Sequence, residues 1–416
     1  MVEIKLCDKE LCTGCMACYN ACPHQSLTMK ADDEGFMYPV IDQDTCLKCG
    51  KCMRVCPILN IGKPEVKQTA FKGWTKGDEL LHNSSSGGVF SMLSSQILKL
   101  DGVVFGAAFD DNMTVRHTSV TSEGEMSKLR GSKYVQSYIG EQFREVKKCL
   151  DADKYVLFCG TPCQVAGLKK YLGEKDFPKL LTVDLVCHGV PSPKVFKAYI
   201  SYQEAQNNSQ ITSYNFREKK WSWAKFNSLV TFKNGTLYRG KWEEDPWMRG
   251  FLREYFLRPS CHHCHFTNMQ RHGDITLADF WSYRKKRGEI GNKDTGCSLI
   301  LLNTDKGREF FEPCKNEMNL YPITLDEAKG CNQSLSRCFP PSPLRSQFWT
   351  DFNGGMEYGK LIEKYMYPET IDTHFALVYK YGRDGIPTQL YDLKTRIIIG
   401  AKVRLLKVLR KLKLHD

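Results

Sequence analysis

Two copies of one cysteine pattern open the chain: Cys12-x2-Cys15-x2-Cys18-x3-Cys22-Pro23, and 34 residues later Cys46-x2-Cys49-x2-Cys52-x3-Cys56-Pro57. Three cysteines two residues apart can wrap a short loop around one face of an iron–sulfur cube. The fourth, set further along and followed by proline, reaches the neighbouring cube instead. The spacing therefore assigns Cys12, Cys15, Cys18 and Cys56 to one [4Fe–4S] cluster, and Cys22, Cys46, Cys49 and Cys52 to a second. Gly14 and Gly50 fall where backbone must pass close to a cluster. Paired zinc knuckles would need neither the proline-terminated fourth cysteine nor an exchange of ligands between repeats. Fully thiolate-ligated cubes carry single electrons and break no bonds. Two in series make a relay, so something beyond residue 62 must give or take the electrons.

Four further cysteines group more loosely: Cys163 in Gly160-Thr161-Pro162-Cys163-Gln164, Cys187 in Cys187-His188-Gly189, and the pair Cys261/Cys264. Cys163 and Cys187 each fall where a predicted strand meets a loop or helix, so adjacent strands can bring them together. Four thiolates suffice for a third cluster. The run Cys261-His262-His263-Cys264-His265 also offers imidazoles, and from spacing alone zinc stands level with it. Two polar loops suit an anion. In Ser84-Ser85-Ser86-Gly87-Gly88 the hydroxyls can cap the helix that follows, and the glycines expose N–H groups at its positive end. Gly131-Ser132-Lys133-Tyr134 adds a lysine to pair a phosphate and a tyrosine to stack on a ring.

These residues need elements to position them. The chain has 416 residues, more than one comfortable core, with 42% hydrophobic and 25% charged residues, ordinary values for a globular protein. No run of eighteen apolar residues predicts a spanning helix, and the start carries charges rather than an apolar leader, so a cytosolic chain is expected. Nineteen cysteines in a large chain without a leader, clustered at metal-ligand spacings, read as metal-bound thiols in a reducing compartment. The net charge of +12 is uneven: residues 1–62 are near −2 and the remainder near +14. No arginine-rich tract or nucleic-acid motif accompanies it. A solvated basic surface, or one that attracts an acidic protein partner, is the reading.

The stretch 58–72 reads as a linker. Beyond it strands are predicted near 71–75, 103–109, 155–159 and 180–187, with helices over 88–100 and 163–172 and another from Pro193, an α/β alternation. Residues 211–216, 226–232 and 236–242, with Asn234-Gly235 between the last two, predict an antiparallel hairpin insertion. The expected fold is thus a bacterial-type 2[4Fe–4S] ferredoxin module followed by an α/β domain with an antiparallel β insertion and a helical C-terminal tail.

Six short motifs in this order resemble the beta-subunit family of coenzyme F420 hydrogenases and dehydrogenases, fused behind a ferredoxin module. They are Ser86-Gly87-Gly88, Gly131-Ser132-Lys133-Tyr134, Pro162-Cys163-Gln164, Cys187-His188-Gly189, Cys261-x2-Cys264, and Gly273-Asp274-Ile275-Thr276 running to Asp279-Phe280-Trp281. The resemblance implies an FAD in the α/β core held near Ser86, Gly87, Gly88, Gly131, Ser132, Lys133 and Tyr134. It also implies a third [4Fe–4S] cluster on Cys163, Cys187, Cys261 and Cys264. Family members pass electrons between one-electron carriers and a deazaflavin or another organic molecule, so the implied activity is that of an iron–sulfur flavoprotein oxidoreductase. A flavin takes two electrons and can release them one at a time, which is what a cluster relay requires. Members of the extended, ferredoxin-fused type resemble bacterial proteins of surface-polysaccharide assembly, making a polysaccharide precursor the other candidate substrate. An electron-transfer subunit with no substrate of its own, docked to a catalytic partner, is the alternative.

The domains expected are residues 1–62, a linker at 63–72, N-terminal-like and C-terminal-like family regions at 73–150 and 151–325, and an extension over 326–416. In the extension Ile398, Ala401, Leu405, Leu409 and Leu412 recur at helical spacing opposite Lys407, Arg410 and Lys411. Such a helix suits the inner face of an anionic membrane or an acidic partner, and equally the protein's own core. Cys7, Cys149, Cys159, Cys297, Cys314, Cys331 and Cys338 are expected as structural thiols. His188 and Lys133 are the two candidates for an acid–base role. His188 is also placed to hydrogen-bond cluster sulfur, and Lys133 to pair a phosphate.

Overall fold

The computed structural model describes residues 3–62, 64, 67–282 and 294–367. The chain divides into two compact units, Met1–Tyr358 and Gly359–Asp416. In the second unit the described part is a short helical run ending at Met366. The amphipathic segment expected near 398–412 lies outside the described residues.

In the cysteine-rich segment, α1 (Ala17–Ala21) and α2 (Lys51–Arg54) are single turns, each carrying the third cysteine of its repeat. The residue before each, Met16 or Gly50, is left-handed at φ 62° and 71°. That bend folds the preceding cysteine loop back over the helix start. Between them β1 (Leu27–Ala31) and β2 (Met37–Ile41) pair antiparallel, Leu27 opposite Ile41.

The body is built on an eight-stranded mixed sheet. Its strands are β3 (Thr69–Thr75), β4 (Val103–Phe109), β5 (Val115–Val120), β6 (Val156–Gly160), β7 (Leu180–Leu185), β11 (Ile275–Asp279), β12 (Ser298–Leu302) and β13 (Met318–Ile323), in the order β13-β3-β12-β11-β7-β6-β4-β5. The four central strands, β4, β6, β7 and β11, run parallel, and antiparallel strands flank them on both sides. Strand β3 begins at Thr69, so the last residues of the expected linker are already in the sheet. The hairpin insertion is a separate three-stranded antiparallel sheet of β8 (Ile211–Glu218), β9 (Asn227–Phe232) and β10 (Leu237–Lys241). Helices α3 (Asp78–His82), α4 (Val89–Lys99), α5 (Gln142–Asp151), α6 (Pro162–Tyr171), α7 (Pro193–Asn207) and α8 (Pro246–Leu252) complete the framework. Among the described residues no helix is long and apolar enough to cross a membrane.

Every residue of β6 is buried, which is why it reads as an unbroken apolar run rather than an alternating one. Alternation along the central strands supplies two cores. Val104, Leu157, Leu181 and Val183 face Leu93 and Ile97 of α4 on one side. Phe105, Val156 and Phe158 face Phe143 and Leu168 on the other. Met16, Ala17, Ala21 and Val55 join that second core. The segment 1–62 therefore shares a core with the α/β body.

One polar group is sealed into this framework. His117 is buried between Ser137 Oγ (2.6 Å from Nδ1) and the Cys159 carbonyl (3.0 Å from Nε2), and burial pulls its imidazole down to about 4. The unfolded chain, with an ordinary imidazole near 6.5, takes up a proton that the folded chain refuses. This stabilising contribution is therefore complete above pH 6.5 and is lost as pH falls towards 4. The loss is up to about 1.4 kcal/mol per pH unit for the one group. Thermal unfolding at pH 7 and pH 5 should show a drop in Tm that is smaller in His117→Gln than in the parent protein.

Candidate functional site

Cys12, Cys15, Cys18 and Cys56 line one cavity of about 410 Å3, its open mouth included, with Met29 and Pro39 among its apolar walls. The fourth thiol thus comes from the other repeat, as the spacing requires. Burial pushes Cys18 up to about 12. Cys12 and Cys56 are held lower, at about 6 and about 7, chiefly by hydrogen bonds from Cys7. Cys7 lines the same cavity. Sequence reasoning set Cys7 aside as a structural thiol because it stands five residues before the repeat. Only the fold places it against both ends of the foursome. The second foursome is brought together in the same crossed way: Cys52, raised by burial, is raised further by Cys22, Cys46 and Cys49. It lies nearer solvent, with Cys49 exposed.

The third foursome sits where open parallel sheets place ligands, beyond the carboxyl ends of their strands. Cys163 follows β6 in the first turn of α6, which is fixed by a reciprocal capping box between Thr161 and Gln164. Cys187 follows β7, and Cys261 and Cys264 come from a 3-10 turn at Pro259–His263. Burial drives the Cys187 thiol well up, and Cys261, Cys163 and Cys264 add to the rise, so all four are neighbours. The Val190 amide donates to Cys261 Sγ at 3.4 Å, the type of N–H···S contact that tunes an iron–sulfur centre. The imidazoles stand apart. His262 Nδ1 is 2.9 Å from the Phe339 carbonyl, and His263 and His265 are exposed.

A zinc ion would hold thiolates about 2.3 Å from a single centre. A cubane gives each thiolate its own iron corner, and three all-thiol foursomes fit that donor set. The first and third foursomes also adjoin. Cys15 feels the charge of Cys163, and Gly167 of α6 lies so close that an added Cβ would stand 3.0 Å from Cys15 Cβ and Sγ.

The two polar loops meet each other but are largely self-satisfied. Contrary to the expectation from sequence, the serine hydroxyls do not cap α4. Ser84 Oγ donates to the Leu80 carbonyl, Ser86 Oγ to the Cys297 carbonyl, and α4 starts at left-handed Gly88 without a side-chain cap. Gly87 passes so near β3 that a Cβ would meet the Gly73 carbonyl at 2.3 Å, and its amide donates to Ser298 Oγ. The Ser132 amide donates to Ser85 Oγ, tying the second loop, which turns at Gly131 (φ +84°), to the first. Lys133, expected to pair a phosphate, donates to the Lys128, Leu129 and Arg130 carbonyls instead, and burial pulls it down to about 7.

The cations that do face these loops come from the end of β8. Arg217 Nη1 donates to Asp279 Oδ2 (2.8 Å) and Tyr134 OH (3.1 Å), and its guanidinium lies 4.2 Å from the Phe226 ring centroid. Among the described residues the buried Arg217 Nε has no partner. Lys219 Nζ donates to the Ser86 and Thr295 carbonyls, and burial, then Arg217, pull it down to about 7. Their signal in the sequence was faint: two cations flanking Glu218 at the end of a strand of mixed polar and aromatic residues. Asp274 accepts from the Thr182 amide and hydroxyl, a structural role that binds β11 to β7. His188 stacks on Phe339 at 4.1 Å and meets Phe251 edge-on at 5.0 Å, and Phe251 stacks on Tyr134 at 5.2 Å. A continuous run of rings thus joins the third foursome to the polar loops.

Comparison with known proteins finds two family models. Residues 153–327 match that of the C terminus of the coenzyme F420 hydrogenase/dehydrogenase beta subunit, and residues 11–59 that of a 4Fe–4S dicluster domain. One of the subunits of the F420H2 dehydrogenase of Methanosarcina mazei is 22% identical over 330 residues, covering 75% of this chain and 84% of the relative. A ferredoxin of Methanocaldococcus jannaschii is 36% identical over 70 residues, 16% of this chain and 88% of its own length. A solved F420-reducing [NiFe] hydrogenase complex from Methanosarcina barkeri contains a chain with a TM-score of 0.43 and 17% identity, covering 70% of this chain and 90% of that one.

The Cys15–Gly167 contact gives a direct test of the seam. Gly167→Val forces α6 away from the first foursome at an overpacking cost of about 1–3 kcal/mol. With a cubane in each foursome, the expected result of iron analysis is a loss approaching four irons per chain and no loss from the second foursome.

Proposed function

We propose that the chain, whose residues 153–327 match the C terminus of the coenzyme F420 hydrogenase/dehydrogenase beta subunit and whose residues 11–59 match a 4Fe–4S dicluster domain, is a three-cluster flavoprotein oxidoreductase of that family. The chain is an electron-transfer iron–sulfur subunit in kind. The proposal adds the number of clusters, their order, the FAD and an organic substrate. The observation that carries it is the sorting of twelve cysteines into three foursomes, with Cys15 of the first set against the helix that bears Cys163 of the third.

Electrons would enter at the exposed second foursome, pass to the buried first, and cross the Cys15–Gly167 contact to the third. From there the rings of His188, Phe251 and Tyr134 lead to the Ser–Gly and GSKY loops. The flow can run either way. An FAD bound there supplies the conversion between single electrons and hydride chemistry. Arg217, whose Nε has no partner among the described residues, is the cation available to an anionic part of cofactor or substrate, and Lys219 braces the same loop through the Ser86 carbonyl. The organic partner is a deazaflavin or a polysaccharide precursor, and the basic body suits an acidic protein donor. In this reading His188, 3.4 Å from Glu254 Oε1 and between two ring contacts, belongs to the path of rings.

The engaged donors of Gly87 and Lys133 favour a second reading, in which the chain holds clusters alone and serves a catalytic partner. Anaerobic reconstitution separates the two. Three clusters and a bound flavin predict about twelve irons and one FAD per chain. Twelve irons with no flavin would give the second reading, and eight irons with one zinc would remove the third cluster. Arg217→Gln and Lys219→Met should each weaken FAD retention at least about tenfold by equilibrium dialysis while leaving iron content unchanged, a loss of about 1.4 kcal/mol of binding.

A further inference from the structure

Arg258 is fully buried, three residues before Cys261, at the seam between the ferredoxin segment and the body. Its side chain makes three hydrogen bonds: Nε to the Cys12 carbonyl (2.6 Å), Nη1 to Gln136 Oε1 (2.9 Å) and Nη2 to the Met37 carbonyl (3.1 Å). Tyr38 and Phe36 cover its faces, with ring centroids 4.3 and 5.4 Å away. All three acceptors are neutral, and among the described residues no carboxylate pairs with it. A buried charge of this kind is costly unless an opposite charge answers it. Gly14 accommodates the guanidinium closely: a Cβ there would lie 2.7 Å from Nη1.

The opposite charge is sulfur. Arg258 bonds the carbonyl of Cys12 in the first foursome through its guanidinium, and its own carbonyl accepts from the amide of Cys261 in the third (2.9 Å). At the second foursome the cation is Arg54, which is exposed to solvent, its Nη1 donating to the Cys49 carbonyl (3.0 Å), and among the described residues no buried cation stands there. A four-thiolate cubane is anionic and gains a further negative charge on reduction, so a fixed cation favours the reduced state.

We propose that Arg258 is a counter-charge shared by the first and third clusters, a positioning residue that raises the reduction potential of both. It makes the seam, rather than the exposed second cluster, the place where electrons reside. The step concerned is the gain of one electron per cluster from a low-potential one-electron donor, with no bond made or broken. The inference rests on the three-cluster reading.

The test is a mediated redox titration of the reconstituted full chain, followed by electron paramagnetic resonance. Arg258→Gln should lower the midpoints of two of the three cluster signals by at least about 59 mV, a tenfold shift in a one-electron equilibrium, and leave the third in place. Arg258→Lys should stay near the parent values. Gln136→Glu, which sets a carboxylate against Nη1 without removing the guanidinium, should lower the same two midpoints. It carries the test if Arg258→Gln loses iron. Unmoved midpoints at full iron content, or an equal shift in all three, would overturn the proposal. A parent protein with only eight irons would overturn the three-cluster reading and the proposal together, and the iron assay alone identifies that case.

Discussion

Helix α6 must lie against Cys15, and the absence of a side chain at position 167 is what lets it. Around that contact the rest of the molecule is arranged. Strand β6 ends in the capping box that starts α6 and aims Cys163. The first ferredoxin helix packs into the core under the same strand. Arg258 reaches from the Cys261 turn to the Cys12 carbonyl and closes the seam from the other side. Electron tunnelling requires short edge-to-edge separation, and this set of contacts holds two all-thiol foursomes in one packed interior rather than on two tethered domains.

The body uses its parallel sheet as such sheets are generally used. Cys163, Cys187 and Asp279 stand at or just beyond the carboxyl ends of β6, β7 and β11, so one edge of the sheet serves both the third foursome and the polar loops. The buried Arg271–Asp184 pair, with Thr276 and Asn303 completing its hydrogen bonds, fixes β7 to β11 at that edge. A pair with both side chains removed from water contributes geometry more than stability. Here it sets the spacing between the chain leading to Cys187 and the strand that ends in Asp279.

Much of this was legible in the residues. The doubled cysteine run specified the crossed grouping of its thiols, because the spacing to the fourth cysteine is a length constraint that any fold must obey. The apolar runs at 103–109 and 155–159 gave the central strands, and Asn234-Gly235 gave the β9–β10 turn. Contacts that depend on long-range packing were not legible. Cys7 lies outside any motif. The serines before α4 carry the composition of a helix cap but bond elsewhere, because left-handed Gly88 turns the chain and the nearby strand carbonyls compete for the hydroxyls. Lys133 carries a charge suited to phosphate but closes a turn of its own chain. Arg217, Lys219 and Arg258 have sequence neighbours that say nothing of the carbonyls, rings and thiols that surround them.

Two foursomes held in one interior at the seam are what the rest of the molecule is arranged around. Electron paramagnetic resonance of the fully reduced, reconstituted chain tests it most directly, because adjacent reduced clusters couple magnetically. The account predicts a broadened interaction spectrum that resolves into separate signals on partial reduction, and that simplifies when Cys187→Ser removes the third cluster. Three sharp, independent signals at full reduction, unchanged in the neighbours of the removed cluster, would contradict it.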